Sequence, residues 1–185
     1  NGRPPGSSPT GLNPRKPHPG SPAIDAGTNT GAPSDDIRGL PRPFNTTTDI
    51  GAYEWQGLTL SKSGGDNQST PINTAFANPL IVTVSSAAPS AQAEPVTGAQ
   101  VTFTAPASGS SAALNPTSPV TVTCSGSPAV CTASVAATAN GTAGTYAVNA
   151  SAAGATPVAF SLTNSPASAT MTLSDLGPYT YDGTA

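Results

Sequence analysis

Apolar and polar residues alternate with period two in several short stretches between Gly57 and Asn164, and the stretches are separated by Gly, Pro, Asn and Ser. Leu80, Val82 and Val84 alternate with Ile81, Thr83 and Ser85, and Val101, Phe103 and Ala105 alternate with Thr102 and Thr104. The same rhythm holds at Val120 and Val122, at Tyr146, Val148 and Ala150, and at Val158, Phe160 and Leu162. Successive side chains of a strand point to opposite faces, so each stretch predicts a strand with one buried face. Strands recurring roughly every 10–20 residues over residues 57–164 predict an antiparallel two-sheet β-sandwich, with an up-and-down barrel as the alternative.

The flanking stretches lack this rhythm. Residues 1–20 hold six prolines and one large apolar residue, Leu12, which predicts a loop or exposed lead-in. From Ser21 to Trp55, apolar points at Ile24, Ile37, Leu40, Phe44, Ile50 and Tyr53 stand between turn residues. They are too few for a core of their own, so residues 1–56 are expected to be loop-rich, to need another surface to pack on and to be partly mobile without it. Residues 165–185 begin with a turn cluster and then give Met171, Leu173, Leu176 and Tyr179 to Thr184, the start of a further β unit.

Composition narrows the picture. Among 185 residues there are 30 Ala but only 28 Leu, Ile, Val and Phe, with 22 Ser and 26 Thr, so an all-β chain with a thin core is expected. A formal net charge of −3 is too small for the usual signature of disorder. No Lys/Arg cluster exists beyond Arg15-Lys16, so no nucleic acid partner is expected. No apolar run approaches the roughly 18 residues that cross a bilayer, so no membrane insertion is expected. The sequence opens with neither Met nor a targeting leader and reads as an internal piece of a longer chain.

Cys124 and Cys131 are the only cysteines. Pairing them across a hairpin puts 122 opposite 133 and 120 opposite 135, so Val120, Val122, Ala133 and Val135 share their face. Register and apolar pattern agree, which predicts a disulfide and hence an environment outside the cytoplasm. Two free buried thiols are the alternative. A zinc site lacks ligands, because the only histidine, His18, lies in the Pro-rich lead-in.

Five of the nine acids and two of the six bases fall between Ser21 and Trp55. Asp25, Asp36, Asp49 and Glu54 with Arg38 and Arg42 could do acid-base work on a sugar, but in a segment with so small a core they are expected to cap exposed backbone and one another. Asp25 and the pair Asp35-Asp36 offer oxygens to calcium without any recognisable calcium loop. Tyr53, Trp55 and Tyr146 are the aromatic residues that could meet a ligand, although adjacent Tyr53 and Trp55 point to opposite faces and are expected to pack. Neither a nucleophilic triad nor a nucleotide-binding loop is recognisable, so no catalytic residue, metal or cofactor is assigned.

The string Ser21-Pro22-Ala23-Ile24-Asp25-Ala26-Gly27, with Asp36-Ile37-Arg38-Gly39, Pro41-Arg42-Pro43 and Asp49-Ile50-Gly51-Ala52-Tyr53-Glu54, resembles the closing segment of bacterial right-handed parallel β-helix proteins of the choice-of-anchor Q type. Ser63-Gly64-Gly65-Asp66-Asn67-Gln68-Ser69, Phe76-Ala77-Asn78-Pro79-Leu80, Val101 to Pro106 and Gly144 to Val148 resemble bacterial Ig-like domains of the invasin and intimin group. Residues 169–185 are similar to the start of MBG-type repeats through Thr180-Tyr181-Asp182-Gly183-Thr184. These resemblances imply a β-helix end (1–56), an Ig-like sandwich (57–164) and a truncated repeat (165–185). Together they imply a non-catalytic structural or adhesive stalk of an exported protein at a bacterial surface. Its neighbours would be the preceding and following modules of the same chain. The alternatives are a module binding a polysaccharide or a host surface protein, and an accessory part of a β-helix polysaccharide lyase or hydrolase.

Overall fold

The computed structural model describes residues 15–168, and the chain is all-β: ten strands and one short 3-10 turn, with no helix long and apolar enough to cross a membrane among these residues. The strands are β1 (Leu58–Gly64), β2 (Gln68–Pro71), β3 (Leu80–Ser86), β4 (Gln100–Thr104), β5 (Ala112–Asn115), β6 (Val120–Thr121), β7 (Thr123–Ser125), β8 (Val130–Ala139), β9 (Gly144–Ser151) and β10 (Val158–Ser165). One sheet runs β1-β3-β8-β5 with β7 also on β8, and the other runs β2-β10-β9-β4-β6. The repeat expected at 165–185 lies, from residue 169 onward, outside the described residues.

The alternating positions build the core between the sheets. Leu80, Val82 and Val84 of β3, Val101 and Phe103 of β4, Val148 and Ala150 of β9, and Phe160 and Leu162 of β10 are all buried in one cluster. Beside β3 in the same sheet, β8 contributes Ala133, Val135, Ala137 and Ala139, so the core is as thin as the alanine content implied. The Phe103 and Phe160 rings lie 6.3 Å apart, tilted by 36°, and supply much of its apolar volume.

Two edges depart from a simple antiparallel meander: β2 is parallel to its neighbour, and β6 leaves its hairpin for the other sheet. The first strand switches sheets at Gly64-Gly65: β1 pairs antiparallel with β3, while β2 pairs parallel with β10 from Leu162↔Gln68 to Ser165↔Pro71. A Cβ on Gly65 would collide with the Pro79 carbonyl, and its φ is +80°, so the switch needs glycine there. On the opposite side, β5 and β7 both lie on β8, whereas β6 between them crosses to β4 through Gln100↔Thr121 and Val101↔Val120. Both open sides between the sheets are therefore crossed by a strand that changes partners.

Cys124 and Cys131 are disulfide-bonded and directly opposed on β7 and β8, with Cα atoms 3.9 Å apart. The register predicted from the cysteines holds for Thr123↔Thr132 and Ser125↔Val130 but stops there, because Val120 and Val122 bond to the β4 side instead of continuing along β8. Val122 is nonetheless buried, as are Ala133 and Val135. Closing this short loop is expected to contribute about 2–3 kcal/mol. Cys124→Ala, or reductant on the wild type, should lower the melting temperature accordingly, and a melting curve unmoved by reductant would refute this.

Candidate functional site at a buried ionic junction

Residues 15–56 form turns and one isolated bridge, Asp35↔Pro41, and contain no β-strand. Their order comes from charge. Asp36 opens a turn in which its Oδ1 accepts the N–H groups of Arg38 (2.7 Å) and Leu40 (3.1 Å), while the Gly39 N–H donates to its carbonyl. A side-chain oxygen standing in for backbone is the ordinary reason aspartate starts a turn. Gly39 takes φ +78°, which glycine accepts without cost.

Arg38 is the centre of the junction. Its Nε donates to Asp36 Oδ2 (2.8 Å) and its Nη2 to the Glu54 carbonyl (2.5 Å). Nη1 reaches the sandwich, donating to Glu94 Oε1 (2.8 Å) and the Gln92 carbonyl (3.0 Å). Gln92 answers by donating its Nε2 to the Arg38 carbonyl (2.9 Å), and Lys16 adds bonds to the carbonyls of Gln92 and Ala93. The guanidinium also lies 5.1 Å from the Tyr53 ring centroid, a cation–π distance.

A second set hangs on Glu54. Its Oε2 accepts Arg42 Nε and the Asp49 N–H, both at 3.0 Å, and its Oε1 accepts the Phe44 N–H. Arg42 Nη2 goes on to the carbonyls of Asp49 and Gly51. Asp49 accepts the N–H groups of Asp25 (2.8 Å) and Trp55 (2.6 Å). Asp25 itself is exposed at the rim, in the left-handed region at φ 54°, and its carboxylate accepts from Asn45.

Asp36, Arg38, Arg42, Asp49 and Glu54 thus form one connected network, with Asp25 at its edge. Glu94 is the member that sequence reasoning missed. Its signal was its isolation: it is one of three charges between Gly57 and Asn164, and a lone acid in a neutral sandwich calls for a cation from elsewhere. The side chains of Asp36, Glu54 and Glu94 are 0% exposed and those of Arg38 and Arg42 only 8% and 7%. Four buried carboxylates against two guanidiniums would be untenable without the backbone N–H groups that make up the difference.

These surroundings move the carboxyls in opposite directions. Burial alone would raise Asp36, but the Glu54 N–H, the Arg38 side chain and the N–H groups of Leu40 and Arg38 outweigh it and hold the group below its ordinary 3.8. Burial pushes Asp49 up, and the charges of Glu54 and Asp25 add to that push. Asp36 therefore contributes stability that is present above its unfolded value and lost as pH falls through its lowered folded value. Asp49 has the opposite sign, its ionised form being disfavoured in the fold. Asp36→Asn is expected to be less stable than wild type at pH 7, with the gap in urea midpoint shrinking below pH 3.8. A gap that stays constant down to pH 2 would contradict the ionic role.

The aromatic candidates are placed differently from a binding platform. Trp55 is 2% exposed and sits in the sandwich core, and Tyr146 is 9% exposed with its hydroxyl donating to Asn164 Oδ1 at 3.0 Å. Both rings, named above as possible ligand contacts, are buried. Tyr53 is half-buried beneath Arg38. Among the described residues, no group of three His, Cys, Asp or Glu side chains is arranged to hold a metal ion. The junction's buried carboxylates face guanidinium and N–H donors on every oxygen but one, Glu94 Oε2. Compared with known proteins, the chain matches no family model, no curated protein and no solved structure.

Proposed function

We propose that this chain is a non-catalytic stalk region of a large exported bacterial surface protein, in which an Ig-like sandwich carries the end of a β-helix in a fixed orientation. The observation that carries this reading is Arg38, whose guanidinium bonds both to its own segment and to Gln92 and Glu94 of the sandwich from a buried position. A spacer must transmit orientation, and a buried, multiply bonded cation at the junction leaves no free hinge there. Trp55 and Gln56 extend the same contact into the core and to Glu94.

The topology suits load. Tension entering before β2 and leaving after β10 pulls these parallel neighbours in opposite directions along their length, so their ladder is strained in shear. The disulfide supports an oxidising compartment outside the cytoplasm. The β-helix and Ig-like assignments rest on the sequence resemblances.

One observation favours the alternative of a polysaccharide- or host-protein-binding module. Phe44, 37% exposed, borders an open groove of about 250 Å³ together with Thr59, Leu60, Ala87 and Thr156. The test is binding of the purified chain to an array of polysaccharides and extracellular-matrix proteins. A folded chain that binds nothing saturably is the expected result. Saturable binding abolished by Phe44→Ala, with unchanged melting, would replace the stalk reading with the binding one.

A further inference from the structure

Only three charged residues lie between Gly57 and Asn164, namely Lys62, Asp66 and Glu94. Glu94 belongs to the junction. The other two meet at one place, the edge of β10, and they meet it through its backbone.

β10 is paired along one side with β9 over its whole usable length, from Val158↔Ala150 to Asn164↔Gly144. Along its other side β2 covers only Leu162 to Ser165. Among the described residues, no strand pairs with Val158 to Ser161 along this edge, and such an edge is a template for another chain. On this stretch Lys62 Nζ donates to the Ala159 carbonyl at 2.9 Å, and Asp66 Oδ1 accepts the Ser161 N–H at 2.8 Å. Lys62 and Asp66 are also ion-paired with each other, one at the β1 bulge and the other in the turn leading to β2. Asp66 is held below the usual carboxylate range by the Lys62 hydrogen bond first and the Ser161 N–H second, so it stays ionised and in place at neutral pH.

We propose that the Lys62–Asp66 pair is an edge guard, occupying the outward backbone groups of Ala159 and Ser161 and so preventing two copies of this chain from joining through β10. The partner it excludes is a second copy, because the free stretch is self-complementary. Turned about a two-fold axis at Phe160, Ala159 of one copy lies opposite Ser161 of the other, and the carbonyl and N–H now taken by Lys62 and Asp66 would serve the neighbouring strand. The segment Val158-Ala159-Phe160-Ser161 carries no charge to oppose this. As a stabilising ion pair the exposed couple is worth little; its value is in what it covers.

The experiment is sedimentation equilibrium of the purified chain and of the double variant Lys62→Ala/Asp66→Ala at rising concentration in physiological salt. The wild type is expected to sediment at monomer mass and the double variant at up to twice that mass. Adding Ser161→Pro, which removes the outward N–H without touching the β9 ladder, should return the variant to monomer. A double variant that stays monomeric, or a dimer that survives Ser161→Pro, overturns the proposal. Should the double variant fail to fold, amide exchange on the wild type decides. Slow exchange at Ser161 supports the guard, and exchange at the free-peptide rate overturns it.

Discussion

Arg38→Ala is expected to destabilise the chain by about 3–5 kcal/mol, far beyond what a surface arginine contributes. The variant would leave Asp36 and Glu94, both with fully buried side chains, without their cation, and would strip the Gln92 and Glu54 carbonyls of a donor. Arg38→Lys should recover little, because an ammonium cannot reach Asp36, Glu94, Gln92 and Glu54 at once from one planar fork. Urea unfolding gives the magnitude, and a double-mutant cycle with Glu94→Gln tests the cause: the cost of Arg38→Ala should fall by about 0.5–3 kcal/mol in that background. Additive costs would mean that Arg38 acts through packing alone. Trp55 is the only tryptophan, so its fluorescence reports the junction separately from the far-ultraviolet signal of the sheets. If the two signals separate in the variant but coincide in the wild type, the junction has become a hinge, which is the outcome the stalk reading requires of this arginine.

The strands that were legible in the sequence are those with two or three strong apolar residues on one face: β3, β4, β9 and β10. β2 was not legible, because Gln68-Ser69-Thr70-Pro71 buries only Thr70 and owes its conformation to the parallel ladder with β10. β5 likewise shows only Ala and Leu114 against the far end of β8. The departure of Val120 and Val122 toward β4 has a general reason. Both sheets point their apolar faces into the same core, so an alternating pattern records which side chains are inside and says nothing about which backbone they bond to. The disulfide pinned the register only as far as β7 extends.

The junction was legible in its parts and not in its whole. Asp36, Arg38, Arg42, Asp49 and Glu54 stood out because carboxylates and guanidiniums between turns of a coreless segment must satisfy backbone or each other. What the sequence concealed was the partner, 56 residues beyond Arg38, and with it the fact that the segment is bonded to the sandwich. The expectation of partial mobility in residues 1–56 followed from counting apolar points. Over the described residues 15–56, charges bond the segment through Arg38 and Lys16 to the stretch between β3 and β4, a contact that such a count does not include.

Trp55→Ala should cost about 3–5 kcal/mol, the usual range for emptying a buried aromatic site. In a core that relies on four alanines from β8 there is little side-chain mass to collapse into the gap, which places the expectation at the upper end of that range. Trp55→Phe separates two contributions. The indole Nε1 is buried without a hydrogen-bond partner, so phenylalanine loses some apolar volume but also removes an unsatisfied donor. Its net cost is expected to be about 1 kcal/mol, against several for alanine. If phenylalanine proves as damaging as alanine, the ring nitrogen has a partner that matters. The same pair of variants separates a packing role from a binding one. At 2% exposure Trp55 cannot touch a ligand without the fold opening, so any binding lost in Trp55→Ala must be lost in proportion to the unfolded fraction and retained in Trp55→Phe. Binding lost in both variants, with the folded state intact in the second, would instead bring the tryptophan out of the core and into a ligand site.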